Sequence, residues 1–552
     1  MKSRFLLAAL GAALVVACAP RAPVFDQARI TEDVRVLSGD DFEGRAPATA
    51  GEKKTVDYLV SRLTAAGLSP GGDLKPDGSR AWTQDVPLAR SEIEGPVRMQ
   101  ANAGREQLQW TQGNEVALRA AQNGDSAVDL ANAPVVFVGY GVSAPERRWD
   151  DFKDVDLKGK IALILVNDPD FETGSGDFGG KAMTYYGRWT YKYEEMARRG
   201  AAGALVIHET APAAYGWETV KNSNTGPVFD VQREDPRAVH VPVEGWIQRD
   251  ATALLLQKAG LNFGELKTRS RERDFRPAEL KGVTLSVSFK VKREQVVSKN
   301  IVAVLPGNTH ADEWVLYTAH WDHLGKGQPD ADADAIFNGA VDNAAGVAQL
   351  LEIARAFQKA PRTARSLGFL FVGAEEQGLL GSEYYATHPL YPLEKTVANL
   401  NTDSPRPTSP ARDFSTSGDA PLTLMDTLAE EAGKLKRRHS PDSRPEAGLF
   451  FRSDHFSFAK RGVPAISFKS GDNLDEGGVE AGKAWSEAYT RDRYHQPNDE
   501  FDAKSWRSDG IAADALLLYA LGRRLAESRD WPEWKDGSEF KAIREASAAQ
   551  RN

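Results

Sequence analysis

Cysteine is almost absent: the 552-residue chain has one, Cys18. A single thiol cannot close an internal disulfide or build a cysteine-rich zinc site, so any metal must rest on His and carboxylates. An excess of basic charge is missing too. Lys plus Arg number 69 against 78 Asp plus Glu, a net charge of −9, which argues against a general binder of phosphate backbones and so against a nucleic-acid partner. Beyond the amino end no apolar run approaches the roughly 20 residues that span a bilayer. What is present is the balance of a folding protein, 41% hydrophobic and 27% charged, far from that of a disordered chain. At about 150 residues per domain, a single small module is excluded.

The amino end reads as an address. Lys2 and Arg4 precede an apolar run from Phe5 to Ala17, a basic segment plus a hydrophobic one of signal-peptide length. Val15-Val16-Ala17-Cys18 resembles the lipobox of bacterial lipoproteins. That resemblance implies a signal over residues 1–17, lipidation of Cys18, and a tether over 18–30 carrying Pro20 and Pro23. The expected location is exported and anchored to a bacterial membrane by that lipid alone, facing the periplasm or the exterior.

Apolar spacing organises the rest. Val34, Leu37, Val56, Leu59, Val60 and Leu63 predict two amphipathic helices around a turn at 41–47, followed by a loop-rich stretch. Short apolar strands at 134–142, 161–166 and 204–207, with a helix over 191–199 closed by Gly200, predict a separate β-rich insert over about 115–290. From residue 300 strands and helices alternate: strands at 301–305, 314–319, 367–372, 397–400 and 464–468, helices around 347–357, 422–435 and 511–525. This is the pattern of an α/β fold with a mostly parallel or mixed central sheet flanked by helices, whose sites form at the carboxyl ends of its strands. The division expected is 31–114 and 291–530 for the main domain, 115–290 for the insert, and a peripheral charged tail over 531–552.

Chemistry-bearing residues gather at those strand ends. One strand runs into His320-Trp-Asp322-His323 and another into Glu375-Glu376; Asp403 follows a third, Asp342-Asn343 precedes a helix, and His495 lies in a loop ending Asp499-Glu500. Imidazole and carboxylate suit zinc, with manganese or cobalt as substitutes. Two neighbouring metals need a shared carboxylate, and hydrolysis needs a base that is not itself a ligand. The pair Glu375-Glu376 fits that division, because adjacent side chains at a strand end diverge.

His320-x-Asp322-His323, Asp342-Asn-Ala-Ala-Gly346, Glu375-Glu376-x-Gly-x-x-Gly381-Ser382, Asp403 and His495-x-Pro resemble, in order, the motifs of the M28 family of dizinc metallopeptidases. Asp41-Phe-Glu-Gly-Arg45 resembles that family's amino-terminal portion, the insert resembles a protease-associated (PA) domain, and 451–456 resembles a family motif near the substrate side of the cleft. The resemblance implies two Zn2+ ions, with Asp342 bridging, His320 and Asp403 completing one site, and Glu376 and His495 the other. It implies Glu375 as the general base acting on a metal-bridging hydroxide. It also implies Asp322 behind the ligands, hydrogen-bonding His320 and fixing its tautomer. Asn343 stands where relatives often have an acidic residue; as a position that is not a ligand, it should cost little. Asp454 and His455 are expected to support the site rather than bind metal.

The function implied is an aminopeptidase acting on peptides with a free amino terminus. The alternatives are a carboxypeptidase, an enzyme resembling glutaminyl cyclases, and a metal-free binding protein on the same fold. Two other signals fail on context. Gly174-x-Gly176-x-x-Gly179 lies outside any strand-to-helix turn, and Ser382 lacks the Gly-x-Ser-x-Gly elbow of a nucleophile. His208, His240, His310, His388 and His439 read as surface or structural residues, and oligomeric state is left open by the sequence.

Overall fold

The computed structural model describes residues 23–327 and 333–551. The expected signal, Cys18 and residues 330–332 of the acidic loop lie outside them. Two amino-terminal helices, Gln27–Leu37 and Ala50–Ala65, flank a short turn at Asp40–Arg45. Asp26 caps the first by accepting from the Ala28 and Arg29 amides, and Thr49 caps the second.

A mixed sheet forms the centre. Strands Ala465–Ser470, Thr396–Thr402, His310–His320 and Arg365–Val372 lie side by side and parallel. Ala278–Leu305 joins Arg365–Val372 antiparallel and continues the sheet into Ala127–Phe137. From there a second parallel run follows, through Ile161–Leu165, Gly203–His208 and Val243–Gln248. Helices Gly346–Lys359 and Asp509–Glu527 pack on the first run, whose strands are buried over most of their length. Among the described residues no helix is long and apolar enough to cross a membrane.

Among the described residues the two largest apolar cores are built from residues of 25–68 and 301–540 and from residues of 99–291; a third lies within 117–246, and a small fourth joins Val86, Leu88, Val231, Ala374 and Leu380. The two largest do not meet at a linker. The 28-residue strand Ala278–Leu305 contributes to both, paired along most of its length with Thr83–Ala103.

Two expectations from the sequence change here. The stretch read as loop-rich contains the 21-residue strand Thr83–Ala103. Its apolar positions are sparse, and Pro87, Gly95 and Pro96 interrupt them; pairing with the longer strand, rather than its own pattern, makes it extended. The carboxyl-terminal segment is not peripheral. Trp534 and Phe540 are buried in the first core, Trp534 donates its indole N–H to the Gly462 carbonyl, and the Arg544 guanidinium reaches the Thr396 carbonyl.

Candidate metal centre

Three neighbouring parallel strands end at one edge, and each delivers part of the site. His320 closes its strand opposite Val372, so Glu375 and Glu376 emerge beside it; Asp403 follows Thr402 on the other flank. Asp342 comes from the turn Ala340–Ala345 that leads into helix Gly346–Lys359, and His495 from the loop after helix Gly478–Asp492. A cis peptide joins Asp342 to Asn343. Ala374, just before the glutamate pair, and His495 itself have φ of 56° and 57°, the left-handed backbone that strained functional loops use.

The side chains converge as two half-sites around Asp342. His320 Nε2 lies 3.2 Å from Asp342 Oδ1 and 3.5 Å from Asp403 Oδ1. On the other side His495 Nε2 lies 3.4 Å from Asp342 Oδ2 and 3.1 Å from Glu376 Oε2. Donor atoms of His320, Asp342 and Asp403 lie within 4.8 Å of one another, as do those of His323, Asp342 and Glu376, and of His320, Glu375 and Glu376. An imidazole and several carboxylates packed this closely away from water are a donor set for a hard or borderline divalent cation, which such like charges need to offset their repulsion. The residues present therefore fit zinc.

Electrostatics separates the two adjacent glutamates. Burial pushes the Glu375 carboxyl well above its ordinary range, and the charges of Glu376, Asp454 and Asp403 add to that against the opposing pull of His320. Burial acts on Glu376 in the same sense, but His495 and His323 outweigh it and hold Glu376 down at about 2. For Asp342, burial is again outweighed, here by hydrogen bonds from His320 and His495, and the carboxyl sits well below its usual range. One glutamate is thus held as an anion among imidazoles, while its neighbour readily takes up a proton.

The surroundings fix this geometry. His320 Nδ1 is 3.1 Å from the main-chain carbonyl of Asp322, while the Asp322 carboxylate stands 3.8 Å away. That carboxylate instead accepts from the amides of Glu375 and Glu376, at 3.1 and 3.3 Å, and so ties one strand end to the next. Burial raises it to about 8. Asn343 donates to the Thr402 carbonyl and accepts from the Ser404 amide, bracketing Asp403; a carboxylate there could make only the second bond. Its Oδ1 also accepts from the Gly346 amide, and a Cβ on Gly346 would stand 2.1 Å from that oxygen, which accounts for the glycine of the Asp342-to-Gly346 motif. Gly381 is equally constrained, its Cβ position 2.2 Å from the Gly373 carbonyl.

Four contributors were not assigned roles from the sequence. His323 Nδ1 pairs with Glu376 Oε1 at 2.7 Å, Ser453 Oγ donates to Asp403 Oδ2 at 2.7 Å, and the Asp499 carboxylate accepts from the amides of Val341 and Asp342. Arg45, buried, donates to the carbonyls of Leu37, Trp321, Asn338 and Gly339, so the 41–45 segment clasps two loops of the site. Each sits in a segment the motifs had marked, but its partner is distant in sequence. Asp454 and His455 are fully buried, and the ring nitrogens of His455 have no hydrogen-bond partner among the described residues. Burial pushes Asp454 up to about 7 and His455 down to about 3, so both favour the neutral form.

Comparison with known proteins agrees with this arrangement. Residues 300–520 match the family described as Peptidase family M28. Aminopeptidase YwaD of Bacillus subtilis is 24% identical over 83% of this chain and 76% of its own. The probable lipoprotein aminopeptidase LpqL of Mycobacterium tuberculosis is 26% identical over 43% of this chain and 47% of its own. Among solved structures, the aminopeptidase from Aneurinibacillus sp. strain AM-1 shares the fold, with a TM-score of 0.50 and 20% identity over 92% of this chain and 95% of that one. Residues 300–520 thus match peptidase family M28, and over most of its length the chain is aminopeptidase-like.

Proposed function

We propose that this protein is an exported zinc aminopeptidase that binds two metal ions and removes amino-terminal residues from peptides. The observation that carries the reading is the placement of Asp342 between two half-sites, each with its own imidazole and second carboxylate, while Glu375 stands beside them with a raised proton affinity. On this reading His320 and Asp403 would hold one ion and Glu376 and His495 the other, with Asp342 placed to serve both. Bound zinc would supply Lewis acidity toward a scissile carbonyl and acidify water at neutral pH.

The protein's own groups do the rest. Glu375 takes the proton from the attacking water and returns it to the leaving amine, a role that needs a carboxyl whose proton affinity is raised toward neutrality. His323 and Asp322 keep the two glutamates apart in orientation. Attack near a free amino terminus rather than a free carboxyl one is supported by likeness to proteins named as aminopeptidases. Export by a lipid on Cys18 is supported by the lipobox-like segment and by likeness to a protein named as a lipoprotein aminopeptidase. The insert is read as a PA-like domain over about 115–290.

Metal analysis of protein purified without chelator should find two zinc equivalents. A peptide with a free amine should be cleaved and its amino-acetylated counterpart should not. Glu375→Gln should lower kcat by a factor on the order of 10² to 10⁴ with metal content unchanged. Equal cleavage of the acetylated peptide would refute the aminopeptidase reading, and near-normal rates in the Gln variant would refute the assignment of the base. Loss of ammonia from a glutaminyl peptide without cleavage would point to the cyclase alternative.

A further inference from the structure

The turn that carries Glu375 and Glu376 has an uncommon backbone shape. Ala374 and Leu379, on either side of the glutamate pair, have φ of 56° and 62°, the left-handed region that residues with side chains rarely adopt. Such residues cost free energy and persist only where their surroundings over-determine them. Within the turn, the Gly378 and Leu379 amides donate to the Glu375 carbonyl, the Leu380 amide to that of Ala374, and the Gly381 amide to that of Gly373. Asn300, fully buried, joins the two ends: its Oδ1 accepts from the Gly373 amide and its Nδ2 donates to the Gly381 carbonyl. The Asp322 carboxylate holds the amides of the two glutamates. These bonds fix the ends and the middle of the turn and leave its apolar side, Ala374 and Leu380, to be covered by something else.

The cover comes from the insert. Ala374 and Leu380 are buried in one small apolar cluster with Val86 and Leu88 of strand Thr83–Ala103 and with Val231. Val231 ends strand Val228–Val231, which pairs antiparallel with residues 88–91. Side chains alternate along a strand, and the two faces of this one have different tasks. Val228 is buried in the core of residues 99–291, and Asp230 accepts from Arg233 and pairs with His240. On the other face, Val231 and the half-buried Phe229 belong to the cluster against the glutamate turn. One face of the strand thus serves the insert, and the other serves the residues that flank Glu375 and Glu376.

We propose that Val231 is a positioning residue through which the insert braces the turn from Gly373 to Gly381 and sets where the Glu375 carboxylate stands relative to the metal-binding side chains. This inference rests on the assignment of Glu375 as the base given above. Truncating a buried valine leaves a void into which the turn can relax, because the left-handed residues at its two shoulders then lose part of what holds them. A displacement of about 1 Å at a reacting group can cost about 10²-fold in rate. The insert then takes part in turnover without touching the substrate, and loosening this contact lowers kcat rather than substrate affinity.

The test compares the two faces of the strand on zinc-loaded protein. Val231→Ala should lower kcat on Leu-Ala-amide by about tenfold, with KM within about twofold and zinc content unchanged, and Val231→Ile should restore the rate. Val228→Ala, on the opposite face, should lower Tm and leave kcat as it was. Hydrogen exchange read by mass spectrometry reports the brace without turnover: the segment 373–381 should exchange several-fold faster in Val231→Ala and at the unaltered rate in Val228→Ala. Unchanged kcat in Val231→Ala, an equal loss of kcat in Val228→Ala, or unaltered exchange of that segment each overturns the proposal. Should Val231→Ala fail to fold by circular dichroism, Phe229→Ala, at the margin of the same cluster, is measured in its place with the same expectations. Absence of cleavage by the unaltered protein with zinc bound would instead sink the peptidase reading, and the exchange comparison would still decide whether the insert braces the turn.

Discussion

The proposed metal ligand Asp403 rests on a buried polar chain of single hydrogen bonds. Thr318 donates to Asn401, Asn401 to Ser453 and Ser453 to Asp403, so Asp403 is oriented by Ser453 from the loop before helix His455–Ala459, which is held in turn by Asn401 of the strand preceding Asp403 and by Thr318 of the neighbouring strand. Such outer partners typically govern 10- to 100-fold in metal affinity. Ser453→Ala should therefore weaken zinc binding by about that factor, read by competition with a chromogenic chelator, while leaving the fold intact; an unchanged affinity would mean that Asp403 orients itself. At this scale the sequence was informative about ligands and silent about their supports. His320, Asp342, Glu375, Glu376, Asp403 and His495 carry recognisable neighbours in the chain. His323 and Ser453 act on partners 53 and 50 residues away, and Asp499 on a partner 157 residues away; no local pattern encodes such pairings. Asp322 illustrates the limit, since its carboxylate serves the glutamate amides rather than the imidazole it was expected to hold.

Elements show the same division. The strands and helices read from 300 onward follow from apolar periodicity, because these segments are buried on one or both faces; helix Gly478–Asp492, which buries only Gly482 and Tyr489, and strand Asp413–Thr416 are not read from it. Nor is Thr83–Ala103, because its conformation is imposed by a partner strand. The amino-terminal turn Asp40–Arg45 matters through one side chain: replacing Arg45 with Met would leave the carbonyls of Leu37, Trp321, Asn338 and Gly339 without that donor. The cost should be about 3 kcal/mol, with a lower Tm and weaker metal retention, since three of these carbonyls belong to the site loops. A change in Tm without any change in zinc affinity would confine Arg45 to folding. In the insert, His240 bridges Asp230 and Glu244. Burial disfavours its charge, but Glu244 and Asp230 outweigh that and push its pKa up to about 9. A value raised above the ordinary 6.5 gives stability that is complete below pH 6.5 and lost as pH rises through 9. At about 1.4 kcal/mol per unit this amounts to about 3 kcal/mol. The Tm gap between wild type and His240→Gln should close between pH 6.5 and 9.5, and a constant gap would mean that the charge of His240 does not stabilise the insert.

For the whole molecule, the carboxylates of Glu375, Glu376, Asp342 and Asp403 in one buried cluster couple metal binding to stability. Chelation should lower Tm and zinc should restore it; an ion at a thousand times its Kd contributes about 4 kcal/mol. An identical Tm with and without chelator would mean that the cluster is stable without an ion. The sequence by itself determined the α/β class, the chemistry of the ligand set and its order along the chain, because each is written in local patterns of burial and residue type. Tertiary structure alone decided which side chains support the candidate ligands and that the carboxyl-terminal segment belongs to the core. These depend on contacts between segments tens to hundreds of residues apart, where packing and the cost of leaving polar groups unpaired, rather than local propensity, select the partner.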